Sequence, residues 1–165
     1  MERFSIPCVA GIIEKQINGT TMILLQERWK ENAVKEEGLV EIPAGKIREN
    51  ENIFDALRRE IWEETGLEVE EIHGEKEAGI YASNGYKVLD YMPFSCSQNI
   101  QGNYPILVLT FICTAKGELL EKTNETQNIR WAPVSEVEAS LTSDSRSFYP
   151  MHVASLRKYI QFLKK

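Results

Sequence analysis

The chain has 165 residues, a length that suits one domain spanning residues 1–165. Apolar residues make up 42% and charged residues 27%, which is ample for a core and argues against wholesale disorder. A formal net charge of -6 argues against a general nucleic-acid or anionic-membrane surface, though a metal ion can locally invert the sign of an acidic site. Neither a signal peptide nor a membrane span is legible, so a cytoplasmic protein is expected. Cys8, Cys96 and Cys113 are far apart, odd in number and form no CxxC pair, and they read as buried free thiols.

In chain order, Phe4 to Ile17 and Thr20 to Gln26 read as strands joined by Asn18-Gly19, a dipeptide that supplies the positive φ a type I′ turn needs. The nearly continuous apolar runs within them predict strands covered on both faces. Lys30 to Glu37 reads as a polar loop, and Gly38 to Gly45 as a short strand ending in Pro43-Ala44-Gly45. Ile53, Leu57 and Ile61 recur at helical spacing, so Asn52 to Thr65 is predicted helical, with Gly66 as its stop. Leu67 to Ser83 reads as extended with a break at Gly79, and Asn84 to Tyr104 as an irregular loop. Ile106 to Ala115 is the strongest central-strand candidate. Ile129 to Ala132 is another strand, followed by helices over Pro133 to Leu141 and Met151 to Leu163. No repeat or linker divides the chain, which places it in the α/β or α+β class.

The helix at 52–65 carries the chemical signal. Glu60, Glu63 and Glu64 stand at i, i+3 and i+4 and fall within roughly 100° of arc on one face. Like charges at these spacings repel, and a divalent cation among them offsets the repulsion. Mg²⁺, a hard ion that prefers oxygen ligands and bridges to phosphates, suits them best. For these three residues alone a solvated acidic face is the plainer reading, because Glu68, Glu70 and Glu71 show that the chain uses Glu freely.

The wider spacing changes that balance. From Gly45, five residues lead to Glu51 and seven more to Arg59-Glu60, then Ile61, Trp62, Glu63-Glu64, Thr65, Gly66 and Leu67. This resembles the Nudix hydrolase signature, G-x5-E-x7-R-E-U-x-E-E-x-G-U with U aliphatic, at every specified position. With average residue frequencies it recurs by chance about once in a billion windows. The resemblance implies a Nudix-like α/β/α sandwich around a mixed β-sheet. It also implies a metal-dependent pyrophosphohydrolase that cleaves a diphosphate bond in a nucleoside diphosphate derivative: a nucleotide sugar, a dinucleotide polyphosphate or a modified nucleoside triphosphate. Glu60, Glu63 and Glu64, with a backbone carbonyl near Gly45, would hold Mg²⁺ or Mn²⁺, while Arg59 would orient a glutamate and Glu51 would support the helix. The expected reaction is attack of an activated water on phosphorus.

Outside the motif, Glu125 is the candidate for an additional carboxylate, ahead of Glu118 and Glu121. Arg28 and Arg48 are candidates for phosphate contact, with Lys46 a weaker one. Tyr81, with Trp29 and Tyr86, is a candidate for stacking on a base or sugar. His73 and His152 stand alone and receive no role. The expected partner is a small-molecule nucleotide bound by a monomer or homodimer, with no general nucleic-acid or membrane binding. A nucleotide-binding sensor module without turnover is the alternative, disfavoured by the intact motif.

Overall fold

The computed structural model describes residues 1–29 and 35–165. Of the loop expected at Lys30 to Glu37, residues 30–34 lie outside the described residues, and the next four form turns. The fold begins with an antiparallel hairpin of β1 (Ile6–Ile17) and β2 (Thr20–Arg28), closed by Asn18 at φ 50° and Gly19 at φ 77°. Both central residues are left-handed, as a type I′ turn requires. Three further strands complete the path of the main sheet: β5 (Glu68–Ile72), β9 (Ile106–Lys116) and β10 (Thr126–Pro133). Its order is β10-β2-β1-β9-β5, with β1 and β9 parallel and the other neighbours antiparallel, so the sheet is mixed.

β1 changes partner halfway along its length. Its second half, Glu14 to Ile17, pairs with β2, whereas Cys8 to Ala10 pair with β4 (Ala44–Lys46). The freed end of β2 pairs instead with β3 (Val40–Glu41). The sheet therefore forks, and the stretch read as one strand over Gly38 to Gly45 is two short strands on opposite prongs, parted at Ile42-Pro43. Proline has no backbone N–H to donate to a ladder, which suits it to this break.

Side chains alternate across β1 with period two. Val9 and Ile13 join Leu24, Phe111 and Cys113 on the face that receives α1 (Ile53–Thr65) through Phe54, Leu57 and Ile61. Ala10 and Ile12 join Ile23, Val108 and Ile112 on the opposite face. There they meet α2 (Val134–Ser143) at Val137 and Leu141, and α3 (Pro150–Leu163) at Leu156, Tyr159 and Ile160. The result is the expected α/β/α sandwich. No helix among the described residues is long and apolar enough to cross a membrane.

Three further expectations need correction. The break in the extended stretch falls at residues 73–78, before Gly79. Asn84 to Tyr104 is not one irregular loop: β6 (Gly79–Ser83) and β7 (Tyr86–Asp90) form a two-stranded ribbon, and β8 (Ser95–Gln98) pairs with β9. The ribbon turns on Asn84-Gly85, at φ 50° and 80°, the same dipeptide as the first hairpin. Its side chains are mostly exposed, Ile80, Tyr81, Tyr86 and Val88 among them. Finally, Cys8 and Cys113 are buried free thiols, but Cys96 is exposed on the edge strand β8.

Candidate active site

α1 starts at Asn52, whose side-chain oxygen accepts from Phe54 N at 2.9 Å, and ends at Gly66 in the left-handed conformation at φ 77°. Between these caps the buried stripe fixes the helix rotation and turns Glu60 and Glu64 toward the fork of the sheet. A cleft of about 1260 Å³ opens there. Glu60, Glu63 and Glu64 border it together with Gly45, and Glu118 and Glu125 enter from the segments after β9 and before β10.

The three helical glutamates have different surroundings. Glu60 is half-buried, and its carboxyl lies against the backbone of Gly45: a Cβ placed there would stand 1.9 Å from Glu60 Cδ. Burial raises its pKa against the opposing pull of Arg59, and the charges of Glu63 and Glu125 push the same way as burial. Glu64 is buried in the fork. Its Oε2 accepts from Gln26 Nε2 at 2.8 Å and from Ala44 N at 3.1 Å. Burial first, and the nearby Glu41 carboxylate second, push it up to about 8. Glu63 is half-exposed, 3.5 Å from Arg59 and 3.9 Å from Arg48.

Arg59 ties the motif loop to the helix. Its Nε and Nη2 donate to the two oxygens of Glu51 at 2.8 Å each, its Nη1 donates to Glu60 at 2.5 Å, and Nη2 also reaches Lys46 O at 3.0 Å. The fork of two parallel hydrogen bonds gives this pair its geometric definition. It also holds Glu51 well below its usual range, at about 2, with help from Arg48 N, and raises Arg59 further.

Arg48 and Lys46 line the cleft, and Lys46 Nζ lies 5.9 Å from the ring of Tyr104. Arg28 lines it too. Its guanidinium is largely buried, bonded to Glu41 at 2.8 Å, paired with Glu36 at 3.1 Å and stacked 4.1 Å over Tyr149. The structure does not bring Tyr81 to the cleft: it lies on the β6–β7 ribbon, 70% exposed, and Tyr86 shares that ribbon.

Sequence reasoning missed Gln26 and Glu41. Gln26 donates to both Glu64 and Glu41, the latter at 3.4 Å, and thereby links Arg28 to the helix. The available signal was a polar residue inside a buried apolar segment, Gln26 after Ile23-Leu24-Leu25 and Glu41 before Ile42.

Among the described residues, no three acidic, His or Cys side chains already converge in a ligating arrangement. The donor set nevertheless suits a hard divalent cation. It consists of carboxylates and backbone carbonyls, the space over Gly45 is kept clear of a Cβ, and Gln26 Oε1 is buried with no partner among the described residues.

Comparison with known proteins agrees with this architecture. The family described as NUDIX domain matches residues 7–152. The chain therefore belongs to the NUDIX domain family, and with it to the hydrolases that act on diphosphate bonds. Among solved structures, a MutT protein from Methanosarcina mazei Go1 is similar at 18% identity and TM-score 0.64, covering 100% of this chain and 99% of that one. The NUDIX domain of Shewanella oneidensis NrtR, complexed with ADP ribose, is 12% identical with TM-score 0.65, covering 98% and 90%. A C. elegans Ap4A hydrolase is 15% identical with TM-score 0.57, covering 96% and 98%. At these identities the likeness concerns the fold alone. No curated protein matches.

Proposed function

We propose that the chain is a metal-dependent pyrophosphohydrolase for a nucleoside diphosphate derivative, with a nucleotide sugar, dinucleotide polyphosphate or modified nucleoside triphosphate as the substrate class. The observation that carries this reading is the gathering of Glu60, Glu63 and Glu64 on the cleft side of α1, with Glu60 seated on Gly45. Glu60, Glu63, Glu64, Glu125 and a backbone carbonyl beside Gly45 would hold Mg²⁺ or Mn²⁺. When bound, such ions polarise phosphoryl oxygens and lower the pKa of water.

The chain's own residues do the rest. Arg59 holds Glu60 in place through its bond to Nη1 and is itself fixed by Glu51. Gln26 and the amide of Ala44 fix one oxygen of Glu64 in the fork. Glu63 is the most exposed of the three and can leave Arg48 and Arg59 to face a ligand. Arg48, released from Glu63, and Lys46 then offer positive charge to the substrate's phosphates at the cleft wall. A partly closed cleft of this kind strengthens each of these electrostatic contacts relative to open water. The ADP-ribose complex and the dinucleotide hydrolase among the structural neighbours support a nucleotide ligand.

The test is a panel of nucleotide sugars, dinucleotides and triphosphates, assayed for release of phosphate or nucleoside monophosphate with and without Mg²⁺. Release that needs the metal is expected. Tight binding without turnover across the panel would replace the enzyme with a sensor module.

A further inference from the structure

The cleft continues beyond the carboxylates to a second wall built from β1, β9 and the start of α3. Its floor is apolar: Cys8, Ile106 and Val108, all buried. Beside it stand Arg28, Tyr149 and His152 as one contiguous stack. The Arg28 guanidinium lies 4.1 Å over the Tyr149 ring, and that ring meets His152 edge-on at 5.2 Å.

Four buried side-chain nitrogen or oxygen atoms have no hydrogen-bond partner among the described residues, and two of them, Arg28 Nε and His152 Nε2, belong to residues that line this wall. Both are donors. His152 Nδ1 accepts from Ile42 N at 3.3 Å, which puts the single proton of a neutral ring on Nε2 and turns that nitrogen away from Ile42. The ring stays neutral because burial, followed by the nearby charge of Arg28, pushes it down to about 3. Arg28 has given its two terminal nitrogens to Glu41 and Glu36, leaving Nε–H unused. Two buried unsatisfied donors on the wall of a cleft are costly, and a ligand that supplies acceptors removes the cost.

We propose that Arg28 and His152 are a specificity pair, whose Nε–H and Nε2–H receive the acceptor edge of a planar heterocyclic base lying against Cys8, Ile106 and Val108. The acceptors are a carbonyl oxygen or an unprotonated ring nitrogen. A base that presents an amino group there sets donor against donor and is rejected. The inference rests on the nucleotide substrate proposed above and adds to it the choice of base, oxo over amino. It also gives Arg28 a role in reading the base, distinct from contact with phosphate.

Inosine 5′-diphosphate and adenosine 5′-diphosphate differ at this point, 6-oxo against 6-amino. Their binding to the full chain in Mg²⁺ is measured by calorimetry. Wild-type protein should favour the inosine compound by roughly tenfold. His152→Asn keeps an acceptor for Ile42 N and removes the distal donor, so the ratio should fall toward one. His152→Gln, whose amide reaches the Nε2 position, should restore part of it. Equal binding of the two compounds by wild type overturns the pair, as does an unchanged ratio in a folded H152N. If H152N fails to fold, R28K, which keeps the charge beside Glu41 but loses Nε–H, carries the same comparison, and an unchanged ratio there is equally decisive. A base preference without phosphate release from any substrate would remove the hydrolase reading and leave the pair standing. Hydrolysis without a base preference would do the reverse.

Discussion

A methyl group at position 45 would collide with the carboxyl of Glu60, so Gly45→Ala must push that side chain out of its seat. Its terminal atoms can move, and the expected stability loss is modest, about 1–3 kcal/mol. Turnover should fall far more than melting temperature, and the two readouts together separate a displaced ligand from a damaged fold. Glu63→Gln or Glu64→Gln should lower kcat by roughly 100-fold or more while circular dichroism stays unchanged. Glu64 also makes a prediction about pH. Its folded pKa of about 8 lies above the ordinary carboxyl value of 4.5, because burial and Glu41 disfavour its charge. The folded state thus binds the proton more tightly than the unfolded chain between these two values, and stability falls as pH rises through that window. Denaturant titrations in a chelator should show this decline, and Glu64→Gln should flatten it. A decline of the same slope in the variant would assign it to other groups. Little of this was legible in the sequence: the motif spacing found Glu64, but Gln26 and Glu41 lie 38 and 23 positions upstream, and only the fork brings them together.

At the scale of elements, α1 is held by its caps, its buried stripe and the Glu51–Arg59 clamp. Glu51 has its pKa depressed to about 2, so the clamp is fully present above the ordinary carboxyl range and is lost only as pH falls through 2. Glu51→Gln should leave the helix formed but weaken metal affinity by roughly 10–100-fold, measured as the Mg²⁺ concentration for half-maximal activity. An unchanged requirement would make the clamp purely structural. The elements were legible where burial imposed a pattern. Val9 to Ile13 and Ile106 to Ala115 are nearly continuous apolar runs because both their faces are covered, and the α1 stripe keeps a helical period because one face is pressed into the core. The β6–β7 ribbon buries little and has no such pattern. Its turn is spelled Asn84-Gly85 and β6 lies in the stretch read as extended, but the exposed return strand Tyr86–Asp90 was read as loop.

The whole molecule has two apolar layers on either side of one sheet, and its thiols report on them. Cys113 is buried beneath α1, and burial raises its thiol to about 12, while Cys8 is covered on the other side. Cys96 should react readily with an alkylating reagent under native conditions and Cys113 only on unfolding; rapid modification of Cys113 in the native protein would contradict the packing. The sandwich itself was legible through the motif, and the alternation of β1 side chains between two buried faces supplies its physical reason.

Because β1 abandons one neighbour for another midway, the two prongs are bridged where Glu64 meets Gln26 on one side and Ala44 on the other. The acid proposed above as a metal ligand is thereby also a stitch across a seam in the scaffold. Occupancy of the cleft should then be felt well away from it, as slowed amide exchange in β3 and β4 alike when Mg²⁺ is added.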